Sequence, residues 1–401
     1  MTGAWLKVVG IGEAGMDDLP AQARQIVDDA DIFVGGARHL AMLGGDPRPR
    51  MAWTIPLDVS IDELAERRDR KVCVLASGDP LWFGIARKLV GRFGADAVEV
   101  IPHVSSMQLA CARLRWSLAE ADVVTIHGRS VDRLVRWLQP GRRLVVLCAD
   151  GGSPKQVAEL VIRHGFGTCR LHVLEHLGGP EEQVRHLSVD EVAGHRFRDL
   201  VIVALHVPSS SVAANPLTAG LPDQVFEHDG QLTKREIRAA TLARLAPLPG
   251  QRLWDVGAGS GSIGIEWLRT HASTRAIAIE RDPERAQRIR RNAQRLGTPE
   301  LAIVEGSAPT ALNGLPRPDA IFLGGAVAAD GMIAVLQEHL QSGGRLVANA
   351  VSLDGETALL NAHRTLGGEL VRIGVSRAES VGSVIAWRAL APVTQWAWTK
   401  P

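Results

Sequence analysis

Short apolar, β-branched runs alternate with helical stretches along this chain, and the series occurs twice. LKVVGIG (6–12), KVCVLASGDP (71–80), DVVTIHG (122–128), RRLVVLCADGG (142–152) and LVIVALHVP (200–208) have the length and composition of fully buried strands. Between them lie helical patterns such as PAQARQIVDDA (20–30) and SPKQVAELVIRHG (153–165). From 208 to 222 the texture changes to Ser, Pro, Ala and Asn without periodicity, which reads as a linker. A second series follows: RLWDVGAG (252–259), RAIAIE (275–280), LAIVEG (301–306), DAIFLGG (319–325), GRLVANAV (344–351), and a terminal pair near 370–377 and 383–390. The expected organisation is one α/β domain over 1–207, a linker over 208–222, and a doubly wound seven-stranded α/β domain over 223–401.

Composition narrows the function classes. Lys and Arg number 45 against 44 Asp and Glu, a net charge of +1, so there is no basic excess of the kind nucleic-acid and membrane-surface binders carry. No run reaches about 18 unbroken apolar residues, and no basic segment precedes an apolar stretch at the N-terminus. The expectation is a cytoplasmic protein with neither nucleic acid nor membrane as partner. Cys73, Cys111, Cys148 and Cys169 form no CxxC and read as small buried hydrophobes in a reducing compartment.

DVGAGSGSIGIEWL (255–268) is a strand, a glycine turn and a helix start. Gly257, Gly259 and Gly261 permit a tight bend and close approach of a ligand to the backbone. Glu280 ends the next strand, where a carboxylate can accept both hydroxyls of a ribose. An acid two residues before the first glycine, with that strand-end acid, favours S-adenosylmethionine over NAD. TKREIRAATLARL (233–245) shows Thr233 and Glu236 at capping-box spacing. Arg235 and Arg238, three apart, are expected to share a helix face.

In the first half, the turn at GIGEAG (10–15) lacks a strand-end acid, since 31–40 read DIFVGGARHL, and that argues against a dinucleotide site. In ASGDPLWFG (76–84), Asp79 can accept backbone amides and Pro80 stiffens the loop. His127 and Arg129, in TIHGR (125–129), form a strand-end pair able to move a proton and to hold a carboxylate, or else a capping His and a surface Arg. His172 and His176 are four apart across a strand-to-loop boundary rather than on a helix face, so no metal site is expected.

In order, GIGEAG, VGGARHL, SGDPLWFGIA, PHVSSMQLA (102–110), TIHGR and EHLGGPEE (175–182) resemble the two-lobed tetrapyrrole methyltransferase family, most of all its C5-methylating members, over about 5–207. LPDQVFEHDGQLTKREIRAATLARL, LWDVGAGSGSIGIEWL, RNAQRLG (291–297), GSAP (306–309), DAIFLGG and NAV (349–351) resemble the C15-methylating, C12-decarboxylating domain of cobalamin biosynthesis, a Rossmann-like methyltransferase fold. The resemblance implies S-adenosylmethionine in two sites, one per domain. The first is carried by Gly78, Asp79, Ser105 and Ser106, with Gly10 and Gly12 nearer the macrocycle. The second is carried by Thr233, Gly257, Ala258, Gly259, Ser260, Gly261, Glu280 and Ala308. Relatives carry an acid where this chain has Ser307, which leaves the adenine contact open. The implied reaction is methylation of precorrin-6B (precorrin-6Y) at C5 and C15 with loss of the C12 acetate carboxyl, giving precorrin-8X.

No protein nucleophile is expected, and general acid and base are unassigned; His127, Arg129, Lys234 and Arg238 are candidates. The substrate is a polyanionic tetrapyrrole, so a cationic cleft is expected from Arg38, Arg129, Lys234, Arg235 and Arg238. A homo-oligomer is expected. Three alternatives stay open: a cobalt-containing substrate, an NAD-linked oxidoreductase fused to a methyltransferase, and a non-catalytic first domain. A nucleic-acid methyltransferase is disfavoured because DAIFLGG stands where the (D/N)PP(Y/F) loop would be.

Overall fold

A computed structural model of the chain describes residues 4–210 and 214–401. Two compact units emerge: residues 4–131 with 140–210, and residues 132–139 with 214–401. Residues 211–213 of the expected linker lie outside the described residues. The later part of that stretch is held by unit two: Leu221 is fully buried, and the carboxylate of Glu266 accepts the Gly220 amide at 2.6 Å and the Leu221 amide at 3.0 Å.

Unit one has two five-stranded sheets. The first comprises β1 (Leu6–Ile11), β2 (Ile32–Gly35), β3 (Arg50–Ala52), β4 (Val72–Ser77) and β5 (Val98–Ile101), in the order β3-β2-β4-β1-β5 with every pair parallel. Helices cover both faces. Alternate residues therefore face opposite layers: Val8, Val34 and Val74 enter one core, and Val9, Phe33, Cys73 and Leu75 the other. The second sheet comprises β6 (Ala121–Thr125), β7 (Arg143–Leu147), β8 (Arg170–Glu175), β9 (Gln183–Ser188) and β10 (Val201–His206), in the order β6-β7-β10-β8-β9. Only β6 and β7 pair in parallel there. The five runs read as strands are β1, β4, β6, β7 and β10. The others escape a composition reading because they are short or, like QVRHLS, carry too many polar residues.

Unit two is a doubly wound sheet. Its strands are β11 (Arg252–Val256), β12 (Arg275–Glu280), β13 (Ala302–Glu305), β14 (Ala320–Leu323), β15 (Arg345–Ala350), β16 (Glu369–Ile373), β17 (Ser376–Val381), β18 (Val384–Ala389) and β19 (Val393–Thr399). Seven of them run β13-β12-β11-β14-β15-β19-β16, with β19 antiparallel to both neighbours. This corrects the expected terminal pair: SVIAWRAL forms β18, which pairs only with β17 in a separate ribbon, and the last strand of the sheet is β19. Trp396 on β19 is fully buried, whereas Ile385 and Trp387 on β18 are each 78% exposed. Burial, not apolar content, chose between the two runs.

The sheet of unit two is apolar on both faces. Leu253, Ala278, Phe322 and Val347 pack with Leu242, Trp267 and Ile289 on one side. Trp254, Val256, Ile279, Ile321 and Leu346 pack with Leu336, Leu340 and Leu359 on the other. This two-sided burial explains why β14 reads as an unbroken apolar run, and why β11 and β12 are apolar apart from their first residues and the acids Asp255 and Glu280. No described helix is long and apolar enough to cross a membrane.

Candidate functional site

At the carboxyl ends of β11, β12, β13 and β14 the connecting turns converge, the place where open α/β sheets form ligand crevices. The glycine turn after β11 is tied to β12 through the Gly257 and Ala258 amides, which donate to the Ile279 carbonyl at 2.9 and 3.2 Å. The turn after β13 is tied to it by the Gly306 amide, donating to the Glu280 carbonyl at 2.9 Å, and the turn after β14 by the Gly324 amide, donating to the Val256 carbonyl at 3.0 Å. Gly257 sits at φ +73° with Gly325 so close that an added Cβ would stand 2.9 Å from its Cα. Only glycine permits that approach.

These turns wall a cavity of about 800 Å³. Thr233, Gly257, Ala258, Gly259, Ser260, Glu280 and Ala308 line it, together with Lys234 and Ser307. Gly261 does not. It stands at φ +75° ahead of the helix Ser262–Thr270 and packs on Ile289, where a Cβ would be 2.7 Å from Cγ2. The Glu280 carboxylate is almost fully buried; Oε2 accepts the Gly259 amide at 2.8 Å and Oε1 the Asp282 amide at 3.1 Å. Both oxygens keep a lone pair for further donors. Asp255 lies beneath the turn, where its Oδ2 accepts the Gly264 amide at 2.9 Å. Burial pushes its carboxyl up to about 7, the charge of Glu280 adds to this, and the Gly264 hydrogen bond opposes it.

Three sequence expectations on the helix Arg235–Leu245 are overturned. Thr233 and Glu236 do not form a capping box: the helix starts at Arg235, no side chain caps it, and Glu236 pairs with Arg377 at 2.6 Å. Arg238 does not face a substrate cleft. It is fully buried, paired with Glu266 and with Asp223 at 3.2 Å, and it donates to the Thr233 and Leu221 carbonyls. Nor do Arg235 and Arg238 share a face, since Arg235 is exposed. The cations lining the cavity are Lys234, Arg281 and Arg285; the last two follow the strand-end Glu280 and could have been found by scanning β12's exit for basic residues. Phe322, Val351, Val375, Leu390 and Val393 supply an apolar wall. Asn349, of the NAV motif, lines it as well, and its Nδ2 donates to Thr241 Oγ1 at 2.9 Å. The Ser307 hydroxyl donates to the Ala308 carbonyl at 3.3 Å.

In unit one the corresponding strand ends bring Gly10, Gly78 and Ser105 together. The Gly78 amide donates to the Ile11 carbonyl, and its own carbonyl accepts the His103 amide, both at 3.1 Å. A Cβ on Gly10 would stand 2.0 Å from the Gly78 carbonyl oxygen, and one on Gly78 2.8 Å from Ser105 Cα. Asp79 Oδ1 accepts the Leu81 amide at 2.9 Å. Ser105 begins the helix Ser106–Leu114, and its amide and hydroxyl both donate to Gln108 Oε1, at 2.8 and 2.9 Å. The Arg129 guanidinium lies 5.9 Å from the Phe83 ring centre, so TIHGR meets the loop after β4. His127 is exposed, and its amide donates to Thr125 Oγ1 at 3.2 Å. The four-apart histidines diverge: His172 meets His186, and His176 meets Glu13.

Comparison with known proteins assigns each unit a family. Residues 6–193 match the model for tetrapyrrole (corrin/porphyrin) methylases, and residues 224–400 that for the precorrin methyltransferase domain. Precorrin-6Y C(5,15)-methyltransferase (decarboxylating) of Sinorhizobium sp is 47% identical over 406 residues, which cover 99% of this chain and 96% of that one. The protein of the same description from Mycobacterium tuberculosis is 40% identical over 394 residues, covering 98% and 99%. Cobalt-precorrin-7 C(5)-methyltransferase of Salmonella typhimurium is 30% identical over 198 residues, covering 49% of this chain and 98% of its own.

Proposed function

The chain belongs to the precorrin-6Y C(5,15)-methyltransferase (decarboxylating) family, and from that premise we propose that it methylates precorrin-6B (precorrin-6Y) at C5 and C15 and removes the carboxyl of the C12 acetate, giving precorrin-8X. C5 methylation falls to a domain over 1–207, and C15 methylation with decarboxylation to a domain over 223–401, joined through 208–222. The observation that carries the reading is the glycine-walled cavity whose floor is closed by Glu280 against Gly259.

The residues of unit two fit S-adenosylmethionine. A Cβ at Gly257 would strike Gly325 and force apart the two turns that wall the cavity, and Glu280 presents spare acceptor capacity where a ribose diol would lie. When bound, that cofactor supplies an electrophilic sulfonium methyl. Thr233, Ala258, Gly259, Ser260, Glu280 and Ala308 orient it, and in unit one Gly78, Asp79, Ser105 and Ser106 do so. The buried Phe322 and Val393 exclude water from the reacting face. Lys234, Arg281 and Arg285 hold carboxylates of the ring. The meso carbon is the nucleophile and the ring itself the electron sink for decarboxylation. The protein's contribution is orientation and electrostatics.

The test is incubation of the purified chain with reduced precorrin and methyl-labelled cofactor. Label at both C5 and C15, and two cofactor molecules per chain by calorimetry, are expected; an unchanged macrocycle mass overturns the reading. Cytoplasmic location and a homo-oligomer complete the proposal. Self-association is supported by the apolar Ile385 and Trp387, each 78% exposed on the β17–β18 ribbon.

A further inference from the structure

Unit one holds a charged cluster that the cofactor reading leaves unused. Glu13 projects from the turn after β1, between Gly12 and Gly15, and reaches the segment that follows β8. Its Oε2 pairs with Arg38 Nη1 at 2.7 Å, and its Oε1 meets His176 Nδ1 at 3.1 Å. Arg38 Nη2 donates to Ser77 Oγ at 2.9 Å, and Ser77 directly precedes Gly78. His39 Nε2 meets the same hydroxyl at 2.9 Å. One carboxylate thus lies between a guanidinium and an imidazole, at the carboxyl ends of β1, β4 and β8. The side chains of Glu13, Arg38 and His176 are 20%, 32% and 18% exposed, so the cluster is partly desolvated yet open.

We propose that Arg38 and His176 form a binding subsite for an acetate or propionate arm of the macrocycle, and that Glu13 is its resting occupant, displaced as the arm enters. The proposal rests on the reading of the substrate as a polyanionic ring. Chemistry and geometry both support it. A carboxylate arm presents the same planar pair of oxygens that Glu13 divides between Arg38 Nη1 and His176 Nδ1. Exchange of one carboxylate for another leaves Arg38 paired in both states, which matters in a crevice where an unpaired charge is costly. Arg38 stands on the helix Ala37–Ala41 and is held by Ser77, whereas Glu13 is carried on a turn with Gly15 at φ +71°. Space for Glu13 is reserved: a Cβ on Gly179 would stand 2.4 Å from Glu13 Cγ. His176 holds φ +47°, uncommon for a non-glycine residue, and backbone of that kind collects at ligand sites.

A purely structural tie between the loops predicts the opposite response to Glu13→Gln, and this separates the two. The full-length chain is assayed for the KM of the macrocycle in C5 methylation, read from label position, with C15 methylation in the same chain as reference. Glu13→Gln is expected to lower the C5 KM about threefold, the scale of one partly exposed ion pair. Arg38→Gln is expected to raise it about tenfold or more. Neither is expected to move the C15 KM or the cofactor affinity. Glu13→Asp, too short to span to Arg38, is expected to follow Glu13→Gln, and melting curves show whether each variant folds. A raised or unchanged C5 KM in both Glu13 variants overturns the subsite while leaving the reaction intact. A wild-type chain that methylates neither carbon overturns the functional reading and the subsite with it.

Discussion

The Gly259 amide donates to Glu280 Oε2 at 2.8 Å, so the glycine turn after β11 and the acid that ends β12 form one continuous surface. Replacing Glu280 by Ala removes the acceptor for a ribose diol and leaves the Gly259 amide without its partner. A hydrogen bond to a charged group contributes about 1.5–3 kcal/mol. Cofactor affinity in unit two is therefore expected to fall about 10- to 100-fold. Calorimetry should then show one tight site per chain, with C15 methylation lost and C5 methylation retained.

Arg238 and Glu266 are 0% and 2% exposed, and together they hold residues 220–223 against the helix Arg235–Leu245. Arg238→Met leaves a buried carboxylate without its cation, which costs about 3–5 kcal/mol. The unfolding free energy of unit two, measured with denaturant, should fall by that amount. Substrate KM should change only insofar as the fold does.

Asp255 gives a pH signature. Its carboxyl is raised in the folded state to about 7 from an ordinary value of 3.8, so the folded chain binds its proton more tightly than the unfolded chain does. The stabilisation is full below pH 3.8 and is lost as pH rises through about 7. Asp255→Asn copies the neutral acid and removes this dependence. Between pH 5 and pH 8 the wild type should lose on the order of 2–4 kcal/mol more stability than the variant, measured by urea unfolding at each pH. Equal loss in both proteins counts against the assignment.

Gly10 lies under the Gly78 carbonyl, with room for no side chain: a Cβ would stand 2.0 Å from that oxygen and 2.6 Å from the His103 amide nitrogen. Gly10→Ala must shift the turn after β4, at about 1–3 kcal/mol. C5 methylation is expected to vanish while C15 methylation continues, visible as a product one methyl lighter.

Exposed Trp387 tests self-association. Trp387→Glu should lower the particle mass in light scattering and leave both methyl transfers unchanged.

Much of this molecule was legible before any tertiary contact was known. The glycine turn at 257–261, Glu280 at the end of its strand, and the doubled α/β series are local features. A tight turn needs glycine, and a strand buried on both faces needs a nearly continuous apolar run, whatever lies elsewhere in the chain. The side-chain roles that depend on distant partners were not legible. Arg238 reads in the sequence as a cation of the substrate cleft, and only Glu266, 28 positions on, makes it a core residue. The sequence marks 383–390 as the last strand of the sheet, and packing against β15 and β16 gives that place to 393–399 instead. Glu13 and His176 stand 163 residues apart, and only the fold makes them neighbours. Periodicity and turn chemistry are written within a few residues of where they act. The neutralisation of a charge depends on which groups the closed chain brings within about 4 Å, and that is a property of the tertiary structure alone.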